Sequence, residues 1–239
     1  RGDVGNALEY YERALDLAQQ MLEKAKEDGE DETDAMVRVA SVYHNMALVE
    51  MDKGNYAKAL SLLEDAEAVD MTLGNNRGLA KRYDAMGLVL MREGRTSQAQ
   101  SKFEEALRIA DDEMYERGLA YINHHLGEFF EEQRNWRKAK AAYQEAINLG
   151  ERVEEHWLVV SSMKKLADVL DHLNEPSHEI RRKAEKLRRS IQFRKSVVFV
   201  IDYSGSMRAQ DRIKAAIMGA KEILESQVNP QDQVSIIVF

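Results

Sequence analysis

Gly54-Asn55-Tyr56-Ala57-Lys58-Ala59 is followed 40 residues later by Gly94-Arg95-Thr96-Ser97-Gln98-Ala99, and 40 residues after that by Arg134-Asn135-Trp136-Arg137-Lys138-Ala139. A fixed step of this size marks a repeat architecture and has to be read before any single element. The step persists on both sides. Leu63, Phe103 and Tyr143 form one column, and Ala66, Ala106 and Ala146 form another. Upstream, Ala47, Gly87, Gly127 and Ala167 form a third, preceded by Met46, Met86, Leu126 and Leu166. Small residues let two helix backbones approach, and the large ones fill the space beside them. Each unit therefore reads as two antiparallel helices around a short turn such as Glu93-Gly94-Arg95. One hairpin cannot bury its apolar faces alone, so neighbours must stack.

Full hairpins are expected over about 34–73, 76–112 and 116–150, with a further helix over about 154–173. The first unit holds a second helix only, through Ala7-Leu8-Glu9-Tyr10-Tyr11-Glu12-Arg13-Ala14, and its first helix is expected upstream of Arg1. The acidic stretch Glu27 to Asp34 reads as a solvated loop. After residue 175 the small-residue columns are broken by Glu179 and Lys186. A shifted stripe, Ile180, Ala184, Leu187 and Ile191, still predicts an amphipathic helix. Residues 176–194 are read as a basic capping or adapter helix.

The periodicity changes after Lys195. Ser196 to Ile201 is a β-branched and aromatic run, as expected of a buried parallel strand. Arg212 to Gln227 reads as an amphipathic helix and Val234 to Phe239 as a second strand, giving one right-handed βαβ unit. Between the first strand and the helix lies Asp202-Tyr203-Ser204-Gly205-Ser206-Met207. A carboxylate and two hydroxyls two positions apart are hard oxygen donors of the kind that suit Mg²⁺.

Composition bounds the function. The net charge is −8, which argues against whole-protein nucleic-acid binding. There is no Cys, so disulfides, thiolate metal sites and cysteine nucleophiles are excluded, which fits a reducing, intracellular compartment. The longest apolar run, Val197 to Ile201, is far too short to span a bilayer.

The alternation of small and large columns over residues 1–175 resembles the tetratricopeptide repeat, here longer than the minimal unit and without its usual Pro. Residues 195–239 resemble the opening of a von Willebrand factor A (VWA) domain, with Asp202-x-Ser204-x-Ser206 matching its metal-ion-dependent adhesion site. Together the resemblances imply a mainly α fold: a helical-hairpin solenoid followed by a truncated segment of a doubly wound α/β domain. In the VWA family Ser204 and Ser206 would touch the metal directly and Asp202 through water, with the open position taking a partner's carboxylate. The family's further Thr and Asp ligands are expected beyond Phe239, so residues 1–239 alone are expected to bind Mg²⁺ weakly. In tetratricopeptide arrays the first helix of each hairpin lines the groove. That places His44, Asp84, Arg92, His124, Glu128, Lys164 and Asp168 as candidate partner-binding residues.

The resulting expectation is a non-catalytic scaffold binding protein or peptide partners, its oligomeric state open. The alternative is a regulatory or substrate-binding part of a larger enzyme or ATP-driven machine. Several sharper readings give way to plainer ones. The basic run Arg181-Arg182-Lys183 to Arg194-Lys195 lacks interleaved aromatics and reads as a solvated or acid-docking face. His124, His125 and Glu128 lack a second His cluster to complete a metal site. Glu131, Glu132 and Asp168 lack an apolar pocket to shift a pKa. Met46, Met86, Met91 and Met163 read as core filler. A two-carboxylate clamp finds Asn45 and Lys81 in place, but Ala85 stands where it needs a cation.

Overall fold

A computed structural model of the protein describes residues 4–192, 196–201 and 233–238. These fall into two compact units, Arg1–Ser177 and His178–Phe239. The first unit holds eight described helices: α1 (Val4–Asp28), α2 (Thr33–Asp52), α3 (Tyr56–Leu73), α4 (Asn76–Glu93), α5 (Thr96–Asp112), α6 (Glu116–Glu132), α7 (Trp136–Arg152) and α8 (His156–His172). The hairpins α2–α3, α4–α5 and α6–α7 sit where the 40-residue step places them.

The turns show why the step is rigid. Gly54, Gly94, Arg134 and Asn174 recur at the step, with φ of 81°, 84°, 55° and 55°. Gly74, Met114 and Glu154 do the same between hairpins, at 61°, 47° and 59°. Each left-handed residue lets the next backbone N–H reach back over the helix end. Asn55 N donates to Glu50 O at 2.9 Å, Arg95 N to Leu90 O at 2.9 Å and Asn135 N to Phe130 O at 2.8 Å. These are the bonds that satisfy orphan carbonyls at a helix C-terminus. Four of the seven positions lack glycine, and each such residue costs roughly 1 kcal/mol of backbone strain.

The columns are the core. Ala59, Ala99, Ala139, Leu63, Phe103, Tyr143, Ala66, Ala106 and Ala146 are all fully buried. The small position and the large one sixteen residues later are matched in size. A Cβ on Gly87 would lie 2.7 Å from the Phe103 ring, and one on Gly127 would collide with the Tyr143 ring. Where Leu63 replaces the ring, Ala47 is tolerated and fully buried.

The front of the array buries charge in this framework. The Glu50 side chain is fully buried and accepts from Asn55 at 2.6 Å and Lys58 at 2.8 Å. Those bonds, Lys58 first, hold its carboxyl at about 2. Asp70, also fully buried, accepts from Arg82 Nε at 2.9 Å and Asn75 at 2.7 Å.

One boundary differs from the sequence expectation. The acidic stretch from Glu27 to Asp34 is not a continuous loop: α1 runs on to Asp28 and α2 begins at Thr33, leaving only a short turn between them. The helix ends at Gly29, the first residue able to take φ +67° without strain, rather than at the first acidic residue. Asp31 Oδ1 then accepts from Thr33 N at 2.9 Å and opens α2.

In the second unit, α9 (His178–Gln192) buries Ala184, with Ile180, Leu187 and Ile191 half-buried on the same stripe. Strands β1 (Ser196–Ile201) and β2 (Gln233–Val238) pair in parallel, from Ser196 opposite Gln233 to Ile201 opposite Val238. The helix expected over Arg212–Gln227 and the loop carrying Asp202, Ser204 and Ser206 lie outside the described residues.

Candidate binding groove

The first helices of successive hairpins, α2, α4 and α6, enclose a cavity of about 450 Å³. That is within the size range of ligand and anchor-residue pockets. Its floor is apolar, from Leu48, Ala80, Ala85, Leu88 and Ile122. The small side chains at Ala80 and Ala85 leave the room. Gly118 acts differently, by making way for a wall: a Cβ there would strike the Tyr115 ring, which lies across it. The Arg77 guanidinium and the Lys81 ammonium sit 5.5 and 5.7 Å from that ring's centroid.

Polar groups ring this floor. His125 Nδ1 lies 2.9 Å from both carboxylate oxygens of Asp84, tying α6 to α4. Burial alone would lower the His125 pKa, but the Asp84 charge and hydrogen bond outweigh it and the net shift is upward. His44 behaves oppositely. Burial, then the nearby Arg82 and Lys81 cations, push it down to about 3, and its buried Nδ1 has no hydrogen-bond partner. It is therefore neutral at physiological pH, with an unsatisfied ring nitrogen. Such a group costs about 1–3 kcal/mol until something pairs with it. Tyr121, on the cavity wall, donates to Glu155 Oε2 at 3.1 Å, and Arg117 forms an ion pair with the same carboxylate.

Further along the same helices lies a second cavity of about 320 Å³, with Met91, Arg92, Glu128, Glu131, Glu132 and Lys165 among its lining. Glu131 accepts from Tyr143 at 2.8 Å and Lys165 at 3.3 Å. Burial, with Glu128 and Glu131 nearby, raises the Glu132 pKa against the pull of Arg92. Leu88, His125 and Glu128 continue one face from the first cavity toward the second.

The residues expected from sequence divide among these places. His44 and Asp84 line the first cavity, and Arg92 and Glu128 line the second. His124 lines neither. It is buried, its Nδ1 is 2.8 Å from Ser162 Oγ on α8, and its ring packs edge-on against Tyr143 at 5.6 Å. Burial, then His125 and Lys165, push it down to about 3. Lys164 and Asp168 are exposed on α8. Nothing in the sequence marked Tyr115 or Tyr121 as groove wall, whereas His125, on the same first helix as His124, does line it. The 40-residue column through His44, Asp84 and His124 marks the seam between consecutive first helices, so its members face a neighbouring helix as much as open space.

Among the described residues no group of three or more His, Asp and Glu is placed to hold a metal, including His124, His125 and Glu128. No described helix is long and apolar enough to cross a membrane.

Residues 38–112 match the tetratricopeptide repeat family, and residues 197–239 match the von Willebrand factor type A domain. Among solved structures, BtubC (BKLC) from P. vanneervenii superposes with a TM-score of 0.59 at 12% identity, covering 80% of this chain and 93% of that one. A point variant of nearly identical TPR-like repeats from Podosopora anserina gives 0.46 at 16% identity, covering 79% and 91%. The same repeat protein in a second structure gives 0.44 at 14%, covering 74% and 93%. No curated protein matches the sequence. The first unit is a TPR-like helical solenoid, and the segment after it matches a VWA domain.

Proposed function

We propose that the chain is a non-catalytic protein–protein interaction scaffold whose array holds a peptide or helix along α2, α4, α6 and α8. The observation that carries this is the cavity of about 450 Å³, with its apolar floor and convergent His44, Lys81, Asp84 and His125. The tetratricopeptide match over residues 38–112 supports the reading. A partner side chain enters this cavity, and the stripe toward Arg92 and Glu128, with Lys164 and Asp168 on α8, takes the flanking residues. Selection from a randomised peptide library on the folded chain tests it. Tyr121→Ala and Lys81→Glu should each weaken the selected peptides by about tenfold or more, whereas Arg108→Glu on α5 should not. Peptides insensitive to both cavity changes would sink the reading.

In the whole protein, Asp202, Ser204 and Ser206 bind Mg²⁺, which then takes a carboxylate of a second partner. This rests on the Asp-x-Ser-x-Ser spacing in a segment that matches a VWA domain. Asp202→Ala should abolish capture of that partner, and a chelator should do the same to the unmodified protein. Capture unchanged in both would remove the metal role.

A further inference from the structure

We infer, on the basis of the groove reading, that partner binding in the first cavity is coupled to the proton on His125. An apolar anchor side chain seats on the charged His125–Asp84 pair, so the groove takes up a proton as it binds and lets its partner go as pH rises.

Asp84 on α4 and His125 on α6 belong to successive hairpins and meet on the cavity wall. The imidazole Nδ1 stands 2.9 Å from each Asp84 oxygen, so one N–H is shared between both. Among the described residues no other cation is within ion-pair distance of Asp84. The Asp84 and His125 side chains keep 12% and 20% of their exposure, and what remains faces the cavity a partner would fill. Beside them lies the apolar floor of Leu48, Leu88 and Ile122.

An apolar side chain entering here displaces water from the pair, and the proton decides what that costs. With His125 charged, the anchor covers a closed ion pair. With His125 neutral, it covers a carboxylate whose counter-charge has gone, which is the costlier state. Protonation and docking therefore favour each other, and the effect is reciprocal: occupancy raises the His125 pKa, and the proton tightens binding. A cationic anchor would show the opposite dependence, because it would replace the imidazolium on Asp84. The lining opposes a cation, since Lys81 and Arg117 already stand on the wall and Arg117 and Tyr121 hold the other carboxylate, Glu155.

The remaining groups around the pair come from every helix packed there. On α6, His124 turns to Ser162, and Glu128 lies 3.9 Å from Lys165 of α8. On α2, His44 lines the same cavity. Burial first holds His44 and His124 near 3, so both stay neutral throughout. α5 and α7 meet α6 through Phe103 against Phe129 and Tyr143 against Gly127. Burial raises the hydroxyls of Tyr121 and Tyr143 further from neutral pH. For His125, burial pulls downward, and the Asp84 charge and hydrogen bond, with Glu128, outweigh it.

Calorimetry with a cavity-dependent peptide from the library, lacking His and capped at its N-terminus, tests the coupling. From about pH 6 to about pH 9 affinity should fall by up to about tenfold per unit above the His125 titration, and binding heats in phosphate and Tris should differ by the uptake of up to about one proton. The imidazole NMR titration of His125 should move upward when the peptide saturates the groove. Asp84→Asn should still bind the peptide, with a flat profile above about pH 7, because no carboxylate is left to strand. Affinity flat with pH in the unmodified chain, affinity rising with pH, or a slope kept in Asp84→Asn would overturn the coupling and leave the groove reading standing. In the free chain His125 should titrate above 6.5 and Asp84→Asn should bring it down. A free-chain titration at or below 6.5 would overturn the coupling with or without a peptide. A library with no cavity-dependent peptide would remove the groove reading and the coupling with it.

Discussion

The front of the array, α2 to α4, and the hairpins behind it share one backbone and one period, yet fill equivalent positions with opposite chemistry. At the position of Glu50, the next two units carry Leu90 and Phe130. Where Asp70 meets Arg82 in the front seam, the next seam carries Ala110 and Ile122, both buried. The turns and the small–large columns are the same in both regions. Those shared features fix the solenoid, and the seam positions can be filled either by a closed polar network or by apolar packing. A buried ion pair of this kind is poor evidence for stability, and what it contributes emerges only when one member is removed.

The largest expected effect breaks that comparison. Arg82→Leu takes the cation away from the buried Asp70 carboxylate while leaving the Asn75 bond, and should cost about 3–5 kcal/mol in urea denaturation. The double change Asp70→Ala with Arg82→Ile copies the Ala110–Ile122 seam and should recover most of the loss. A double variant as unstable as Arg82→Leu would mean that the seams are not interchangeable.

Next in size is the column shared by both regions. Gly87→Ala drives a methyl to 2.7 Å from the Phe103 ring and should cost about 1–3 kcal/mol, even though alanine is the better helix former. Adding Phe103→Leu reproduces the Ala47–Leu63 pairing of the front hairpin and should restore stability. A smaller effect is expected at the turn. Gly94→Ala meets nothing within 4 Å but must hold φ near +84°, so strain alone should cost roughly 1 kcal/mol. Equal losses at Gly87 and Gly94 would deny the distinction between collision and strain.

The mildest prediction separates the two regions by pH. Glu50 is held at about 2, below its ordinary 4.5, so its contribution is present above 4.5 and lost as pH falls toward 2. His125 is raised by Asp84 on balance, so its contribution is full below 6.5 and lost as pH rises through the folded value. Unfolding midpoints followed over pH should show an acid limb removed by Glu50→Gln and an alkaline limb removed by Asp84→Asn. An alkaline limb that survives Asp84→Asn would assign it elsewhere.

Most of the solenoid was legible because its cause is periodic. The columns at 47, 59, 63 and 66 are sequence statements of close helix approach, and they recur at a step too regular to miss. The end of α1 was not legible, because charge suggested a loop while the stopping point depended on Gly29. The groove was half legible. His44 and Asp84 were placed on its wall by register. His124 and His125 differ by only about 100° on the helix, and the way α6 meets α4 and α8 decides which faces Asp84 and which faces Ser162. The polar seams at Glu50 and Asp70 gave no sequence signal, since their partners Lys58, Asn75 and Arg82 sit at spacings set by the turns.

The Trp136–His172 contact gives this solenoid an optical handle. The indole of Trp136, at the start of α7, stacks face to face on the imidazole at the end of α8, 4.0 Å between ring centres and 8° from parallel. The other tryptophan, Trp157, is 58% exposed. In an array whose units touch only their neighbours, the chain opens link by link like a zip fastener. Emission from the sheltered indole therefore times one link, while the water-facing indole supplies an internal reference in the same molecule.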